Sequence, residues 1–201
     1  MTRMTLTKKK RKRTKKAKMN NVTLYLYFGE EVVDRPLSRV LRDRAAALSF
    51  GEDGFDYAET ASTEKPRFFR PDGAFFNVTH AENLFLCAIG DCEVGLDAEL
   101  FPSQLGRREK IAARVFSEDE LATLAPLDEE EYKRAFTLLW TKAEAAAKFS
   151  GEGLAALLKR EEADLVYTDL TPILKSLGIP AAATLATRDV AKLTLVLLED
   201  E

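Results

Sequence analysis

The sequence contains little cysteine and no long apolar run. Its two cysteines, Cys87 and Cys92, form no CxxC motif, and there is no second pair to complete a zinc site. We therefore expect both to be reduced and assign them no redox role. No apolar run approaches the roughly 20 residues that span a bilayer, and no signal-peptide core follows the basic start of the chain. The sequence predicts a cytoplasmic protein.

Acidic residues are missing from the start of the chain and abundant after it. Residues 1–18 carry ten Lys or Arg and no Asp or Glu, so residues 19–201 have a net charge of −13 although the whole chain has −3. A basic run without apolar periodicity predicts a disordered tail. Nucleic-acid binding by this tail is one alternative function. The remaining residues are long enough for a real core, and the whole chain has an ample hydrophobic content of 46%.

The first half of the chain shows one helix pattern between strand patterns. Residues 22–28, 75–80 and 84–89 have the apolar spacing of strands, with a turn at Asn83, and we expect these strands to pair antiparallel. Residues 51–65 are predicted to be mostly loop. Helical spacing after the first strand is carried by Leu37, Val40, Leu41 and Ala45.

The second half is predicted to be mostly helical until a final strand pair. Helices are expected over residues 105–116 and 129–150, with a capping box at Ser117 starting another between them and Gly151 ending the longest. A strand pair, 183–187 with 193–198, should close the chain.

The end of the second half echoes the first, because residues 185–196 resemble residues 77–86. The echo favours an α+β fold of two similar lobes, residues 19–98 and 99–201, that pack as a pseudodimer of antiparallel strands and helices. A ligand cleft between the lobes would be natural.

Two charged clusters indicate the chemistry. Asp97 and Glu99 are two residues apart on a predicted strand and point to one side, whereas Glu144 and Lys148 are four apart on a predicted helix and share a face. Carboxylates are the ligands that Mg²⁺ prefers, with substrate phosphates completing its shell. The clusters together predict a magnesium and pyrophosphate site.

Four motifs make the chain resemble the Sfp-like 4'-phosphopantetheinyl transferases over roughly residues 19–201. Their order and spacing are fairly specific, although each alone is weak. They are Lys65-Pro66, Phe76-Asn77-Val78-Thr79-His80, Gly95-Leu96-Asp97-Ala98-Glu99, and Trp140-Thr141 through Glu144 and Lys148 to Gly151-Glu152-Gly153-Leu154.

The resemblance implies a cytoplasmic transferase that moves the phosphopantetheine arm of coenzyme A to a serine of an acyl or peptidyl carrier protein. It also implies the monomeric, two-lobed fold, because relatives of half this length form trimers of single lobes. Each motif residue receives an expected role. Mg²⁺ would be held by Asp97, Glu99 and Glu144, and Glu144 would also be the base for the serine. The pyrophosphate would be contacted by Lys148, and the 3'-phosphate of coenzyme A by Thr79 and His80. Positive charge near the nucleotide would come from Lys65 and from Arg42 or Arg44.

The chain departs from the family pattern at several positions. The family commonly has Lys directly before the helix glutamate, where this chain has Ala143, and Lys142 is about 100° away around the helix. Residues 145–147 are three alanines and so are plainer than usual. Thr79 replaces the common Ser but keeps the hydroxyl, and Glu64 replaces a Gly.

Each site residue also has a structural interpretation. Asp97 and Glu99 taken alone would be a solvated strand end, and Glu144 with Lys148 an ordinary helix ion pair. His80, the single histidine, would be a satisfied polar residue, and Trp140 is expected to be core. The alternative to an enzyme, suggested by Ala143, is a non-catalytic module of the same fold that binds coenzyme A or a carrier protein.

Overall fold

Two β-sheets with packed helices form the part of the protein that the computed structural model describes. The predicted tail, residues 1–18, and most of the predicted loop 51–65 lie outside the described residues. The described residues are 19–52, 54, 56–57, 65–68, 74–153 and 164–199.

The first sheet joins both ends of the described chain. It contains β1 (Asn20–Phe28), β2 (Phe75–Ala81), β3 (Leu84–Gly90) and β7 (Ala191–Leu197), in the order β2-β3-β1-β7. β3 pairs antiparallel with β1 and β2, which confirms the pairing predicted for the first half, whereas β1 and β7 are parallel. Every residue of β3 is buried, because it is a central strand with a core on each face.

The second sheet contains β4 (Gly95–Leu100), β5 (Val166–Asp169) and β6 (Ala181–Thr187), in the order β4-β6-β5 with antiparallel pairing. The predicted pairing of the last two strands with each other is wrong. Both edges of β6 are taken by β4 and β5, and the short connection 188–190 leads to β7, which pairs with β1 instead.

Five helices complete the described residues. They are α1 (Arg35–Phe50), α2 (Arg107–Val115), α3 (Glu118–Leu124), α4 (Glu129–Ser150) and α5 (Thr171–Ser176). The predicted α+β class is confirmed, whereas the two-lobed pseudodimer and its domain boundary stay predictions.

Local sequence explains where these helices begin and end. The start of α1 is capped by Asp34, whose side chain accepts a hydrogen bond from the backbone N–H of Leu37. The predicted capping box of α3 is present at Ser117. α4 has the predicted bounds and is capped after Ser150 by Gly151, whose φ of 77° is left-handed. Leu41 and Ala45 are buried as the helical pattern predicts, but Val40 is 62% exposed.

The main core lies between the two sheets. α1 covers the opposite face of the first sheet, and α4 packs on β4 and β6. A third cluster between α2, α3 and α4 contains Trp140, which is buried as predicted. The core between the sheets is built largely from Val22, Leu24, Leu26, Leu84, Leu86, Leu96, Ala98, Ala183 and Leu185.

Candidate active site

Asp97 lies at the centre of the candidate site. It is only 4% exposed, and its Oδ1 accepts from the Lys148 ammonium at 2.7 Å and from the Thr79 hydroxyl at 3.2 Å. The other oxygen, Oδ2, is buried and has no hydrogen-bond partner among the described residues. Burial raises the pKa of Asp97 above its ordinary value, against the opposing effect of Lys148. A buried carboxylate oxygen without a donor fits a ligand atom for an added cation.

Glu99 is on the same side of β4 as Asp97 and is paired with Arg108 of α2. The Arg108 Nη2 donates to Glu99 Oε1 at 2.6 Å. Burial raises the pKa of Glu99; the Arg108 charge opposes this shift and the Asp97 charge adds to it. Asp97 and Glu99 are therefore electrostatically coupled, as the two-residue spacing predicts.

Glu144 brings a third carboxylate from α4. Burial raises its pKa, and the negative charge of Asp97 raises it further, with a smaller contribution from Glu99. Lys148, one turn later on α4, is bound to Asp97 and not to Glu144 in the ion pairs of the described residues. The two charged clusters predicted from sequence therefore do meet, across the contact between β4 and α4.

The donor chemistry of this site fits a divalent cation, but its present geometry is incomplete. Three carboxylates, including the Asp97 Oδ2 that has no hydrogen-bond partner among the described residues, offer hard oxygen donors of the kind Mg²⁺ prefers. No group of three His, Cys, Asp or Glu side chains within the described ranges is close enough to hold a metal ion. Lys148 and Arg108 neutralise Asp97 and Glu99 in this arrangement. Magnesium binding stays a prediction.

The Asn77-Val78-Thr79 motif of β2 connects the two sheets at this point. Asn77 Oδ1 accepts from the backbone N–H of Leu96 at 3.0 Å, and the Thr79 hydroxyl accepts from that of Ala98 at 3.2 Å. Side chains of β2 thus satisfy the backbone of β4 on either side of Asp97. Thr79 points towards Asp97, whereas the exposed His80 lies on the opposite face of β2, because adjacent residues of a strand point to opposite faces.

Lys65 lies at the end of the contact between β4 and α4. Its ammonium donates to the carbonyl oxygens of Val94, at 2.6 Å, and Phe149, at 3.3 Å. Burial lowers its pKa to about 8, and Arg67 adds to this shift while Glu93 opposes it. The predicted coenzyme-binding role of Lys65 is not visible in these contacts and stays a prediction.

The two α1 arginines have partners within the chain. The Arg42 guanidinium pairs with Asp43 at 2.7 Å and lies 4.1 Å above the centre of the Tyr57 ring. Arg44 donates to the carbonyl oxygen of Glu199 at 2.6 Å. α1 covers the face of the first sheet that is turned away from the core between the sheets, so neither arginine joins the cluster around Asp97.

Sequence reasoning missed Arg108 and Asn77 as residues of the site. No local pattern links Arg108 to Glu99, since the contact depends on how α2 returns to β4. Asn77 lies inside one of the four motifs, but the motif alone does not predict its bond to the backbone of β4. Lys142 donates to Glu120 of α3 at 2.9 Å. That Lys142 does not replace the lysine of the family pattern at the position of Ala143 stays a prediction, and this pairing agrees with it.

Comparison with known proteins finds a family model that matches part of the chain. Residues 93–190 match the family model described as the 4'-phosphopantetheinyl transferase superfamily. This stretch includes Asp97, Glu99, Glu144 and Lys148. This match confirms the resemblance predicted from the motifs.

Curated relatives agree with this assignment. The chain is 32% identical over 123 residues to the 4'-phosphopantetheinyl transferase HetI of Nostoc, covering 61% of this chain and 50% of the relative. It is 33% identical over 98 residues to the 4'-phosphopantetheinyl transferase psf-1 of Bacillus pumilus, covering 48% and 40% respectively. The chain thus spans half the length, or less, of these relatives. Among the described residues, no helix has the length and apolar character needed to cross a membrane.

Proposed function

We propose that this protein transfers the 4'-phosphopantetheine group of coenzyme A to a serine of an acyl or peptidyl carrier protein, with Mg²⁺ as cofactor and 3',5'-ADP as the second product. The observation that carries the proposal is the contact between Lys148 and Asp97, which brings both charged motifs of the matched family to one site. Partners, a cytoplasmic location and a monomeric state are proposed on the same resemblance.

The transfer requires one bond to form and one to break. The serine Oγ bonds to the phosphorus that carries pantetheine, and the P–O bond of the pyrophosphate breaks, so that 3',5'-ADP leaves with the electron pair. Catalysis of such a step depends mainly on positioning and on neutralising charge at the leaving group. The Lys148 ammonium, already within the carboxylate cluster, would stabilise that charge.

The serine proton needs an acceptor. Glu144 is the proposed base, directly or through a water molecule, because burial and the neighbouring carboxylates raise its pKa and so make it a stronger base than an exposed glutamate. Asp97, Glu99 and Glu144 would hold Mg²⁺, which when bound supplies positive charge to the pyrophosphate.

The adenosine end of coenzyme A has weaker support in the structure. His80 is the proposed contact for the 3'-phosphate, since it is exposed at the end of β2, next to the buried Thr79 that holds Asp97. The proposed contributions of Thr79 and of Arg42 or Arg44 rest on the family resemblance, because the structure gives each of these side chains another partner. Lys65, for which the resemblance also implies a place near the nucleotide, donates to backbone carbonyl oxygens instead.

Intact mass of an apo acyl carrier protein tests the transfer. After incubation with this protein, coenzyme A and Mg²⁺, we expect a gain of about 340 Da, the mass of one phosphopantetheine arm, and no gain without metal. Glu144→Gln and Asp97→Asn should abolish most of the gain. Glu130→Gln is the matched control, because it removes an exposed carboxylate from the first turn of the same helix.

Two observations favour a second candidate, a non-catalytic module that binds coenzyme A or a carrier protein. Lys142 is engaged by Glu120, and within the described part of the chain three carboxylates do not yet converge on a metal position. Coenzyme A binding with no mass gain on several apo carriers, and no change of binding in Glu144→Gln, would support the module and contradict the enzyme.

A further inference from the structure

We infer that Lys65 is a positioning residue, whose ammonium joins the start of β4 to the end of α4 and thereby fixes the geometry between Asp97 and the α4 residues Glu144 and Lys148. The catalytic consequence rests on the proposed function, whereas the structural role does not.

The contacts of Lys65 are with backbone and lie in two separate segments. Val94 directly precedes β4, and Phe149 is the penultimate residue of α4. The last carbonyl groups of a helix have no partner within the helix, and a cation there also interacts favourably with the helix dipole. The Lys65 ammonium therefore satisfies the Phe149 carbonyl group at the end of α4, and its second bond, to the Val94 carbonyl oxygen, connects the helix to the start of β4.

The surroundings of Lys65 leave its ammonium little freedom to turn to a ligand. Two of its three N–H groups are directed at carbonyl oxygens, and the Phe149 ring lies 5.5 Å away. A side chain at Gly151 would begin 3.3 Å from the Lys65 Cβ, so the glycine leaves room for the lysine stem. A phosphate contact would require Lys65 to give up these interactions.

The two connected segments carry the candidate site. Val94 is three residues before Asp97, and Phe149 is one residue after Lys148. At the same interface Gly95 lets α4 approach so closely that a Cβ at residue 95 would lie 2.0 Å from the carbonyl oxygen of Ala145. Lys65 holds one end of this close contact, so its loss should let the helix move relative to the strand.

Hydrogen exchange of the full chain tests the structural role directly. In Lys65→Met we expect faster amide exchange over residues 94–98 and 145–150 than in the wild-type protein, and no change at these residues in Lys175→Met, which removes an exposed lysine from α5. Unchanged exchange in Lys65→Met would overturn the inference. If Lys65→Met does not fold, Lys65→Arg, which keeps the charge and the donors, should fold and show a smaller increase in exchange.

Kinetics separate positioning from contact with coenzyme A. Misplacement of reacting groups by about 1 Å costs on the order of 10²-fold in rate, so we expect Lys65→Met to lower kcat strongly while the KM for coenzyme A changes little. For Lys65→Met, the ratio of kcat/KM with coenzyme A to kcat/KM with dephospho-coenzyme A, which lacks the 3'-phosphate, should equal the ratio of the wild-type protein. A raised KM confined to coenzyme A would show a direct phosphate contact and overturn the inference. If the wild-type protein transfers nothing, the proposed function fails, and the exchange experiment still decides the role of Lys65.

Discussion

Gly95→Ala should disrupt the contact between β4 and α4 with little effect on backbone freedom. The added Cβ would lie 2.0 Å from the Ala145 carbonyl oxygen, 2.6 Å from the Phe149 backbone nitrogen and 2.8 Å from the Phe149 Cβ. Ordinary contact begins near 3.4 Å, so α4 would have to move by about 1.4 Å, and backbone cannot turn aside as a side chain does. Overpacking of this kind costs about 3 kcal/mol.

The same displacement should act on the site. The long Lys148 side chain can follow Asp97, from which its Nζ is 2.7 Å away, but Glu144 is shorter and its position relative to Asp97 would change. We therefore expect a loss of transfer rate on the order of 10²-fold. The melting temperature should fall by about 6–12 °C, given about 2–4 °C for each kcal/mol in a protein of this size.

Calorimetry and the rate of mass gain on an apo carrier protein measure the two effects. Gly178→Ala is the control, because Gly178 has a φ of +76° with open space around it and lies beyond α5. Its backbone strain should cost about 1–2 kcal/mol without changing the transfer rate. A Gly95→Ala protein that melts and reacts like the wild type would refute the reasoning.

Three further predictions concern charge, a hydrogen bond and the tail. Because the folded-state pKa of Glu144 is raised, its contribution to stability is present at low pH and is lost as pH rises through that pKa. Glu144→Gln should therefore raise the melting temperature at pH 7 and flatten the dependence of the melting temperature on pH, whereas Glu130→Gln should do neither. An equal pH dependence of the melting temperature in the wild type and both variants would contradict the assignment. Thr79→Val removes the hydroxyl that bonds to Asp97 and Ala98, and it should lower the free energy of unfolding in urea by about 1–3 kcal/mol. Thr79→Ser keeps the hydroxyl and should unfold close to the wild type. An unchanged unfolding midpoint for the valine variant would count against the contact. Deletion of residues 1–18 should leave turnover with coenzyme A little changed, whereas under the nucleic-acid alternative the deletion would abolish the protein's function. Stopped-flow association of the deleted protein with an acidic carrier across ionic strength should show a smaller salt slope than that of the full chain, and an equal slope would exclude the tail from carrier attraction.

Local patterns were sufficient to predict most of the elements. The bounds of α4 follow from its apolar spacing and from Gly151, and the capping box at Ser117 depends on residues three apart. The four-residue strand β5 and the six-residue helix α5 were missed because they are too short to show a period, although Pro172 at the start of α5 was an available signal.

Contacts between distant segments were not predictable in the same way. The meeting of Asp97 with Lys148 was expected from the complementary chemistry of the two charged clusters and from the family resemblance, because no local pattern connects residues 51 positions apart. The pairing of Arg108 with Glu99 and the carbonyl contacts of Lys65 depend on how α2, α4 and the segment before β2 fold back on β4. No periodicity in the sequence encodes such arrangements.

The parallel pairing of β1 with β7 affects how the chain must be assembled during synthesis. β1 can pair with β3 once residue 90 has left the ribosome, but its other edge stays open until residues 191–197 emerge about a hundred residues later. Pairing at such separation is slow, and an open strand edge is a place where chains associate wrongly. Nascent chains stalled before residue 191 should therefore need a chaperone more than the completed protein does.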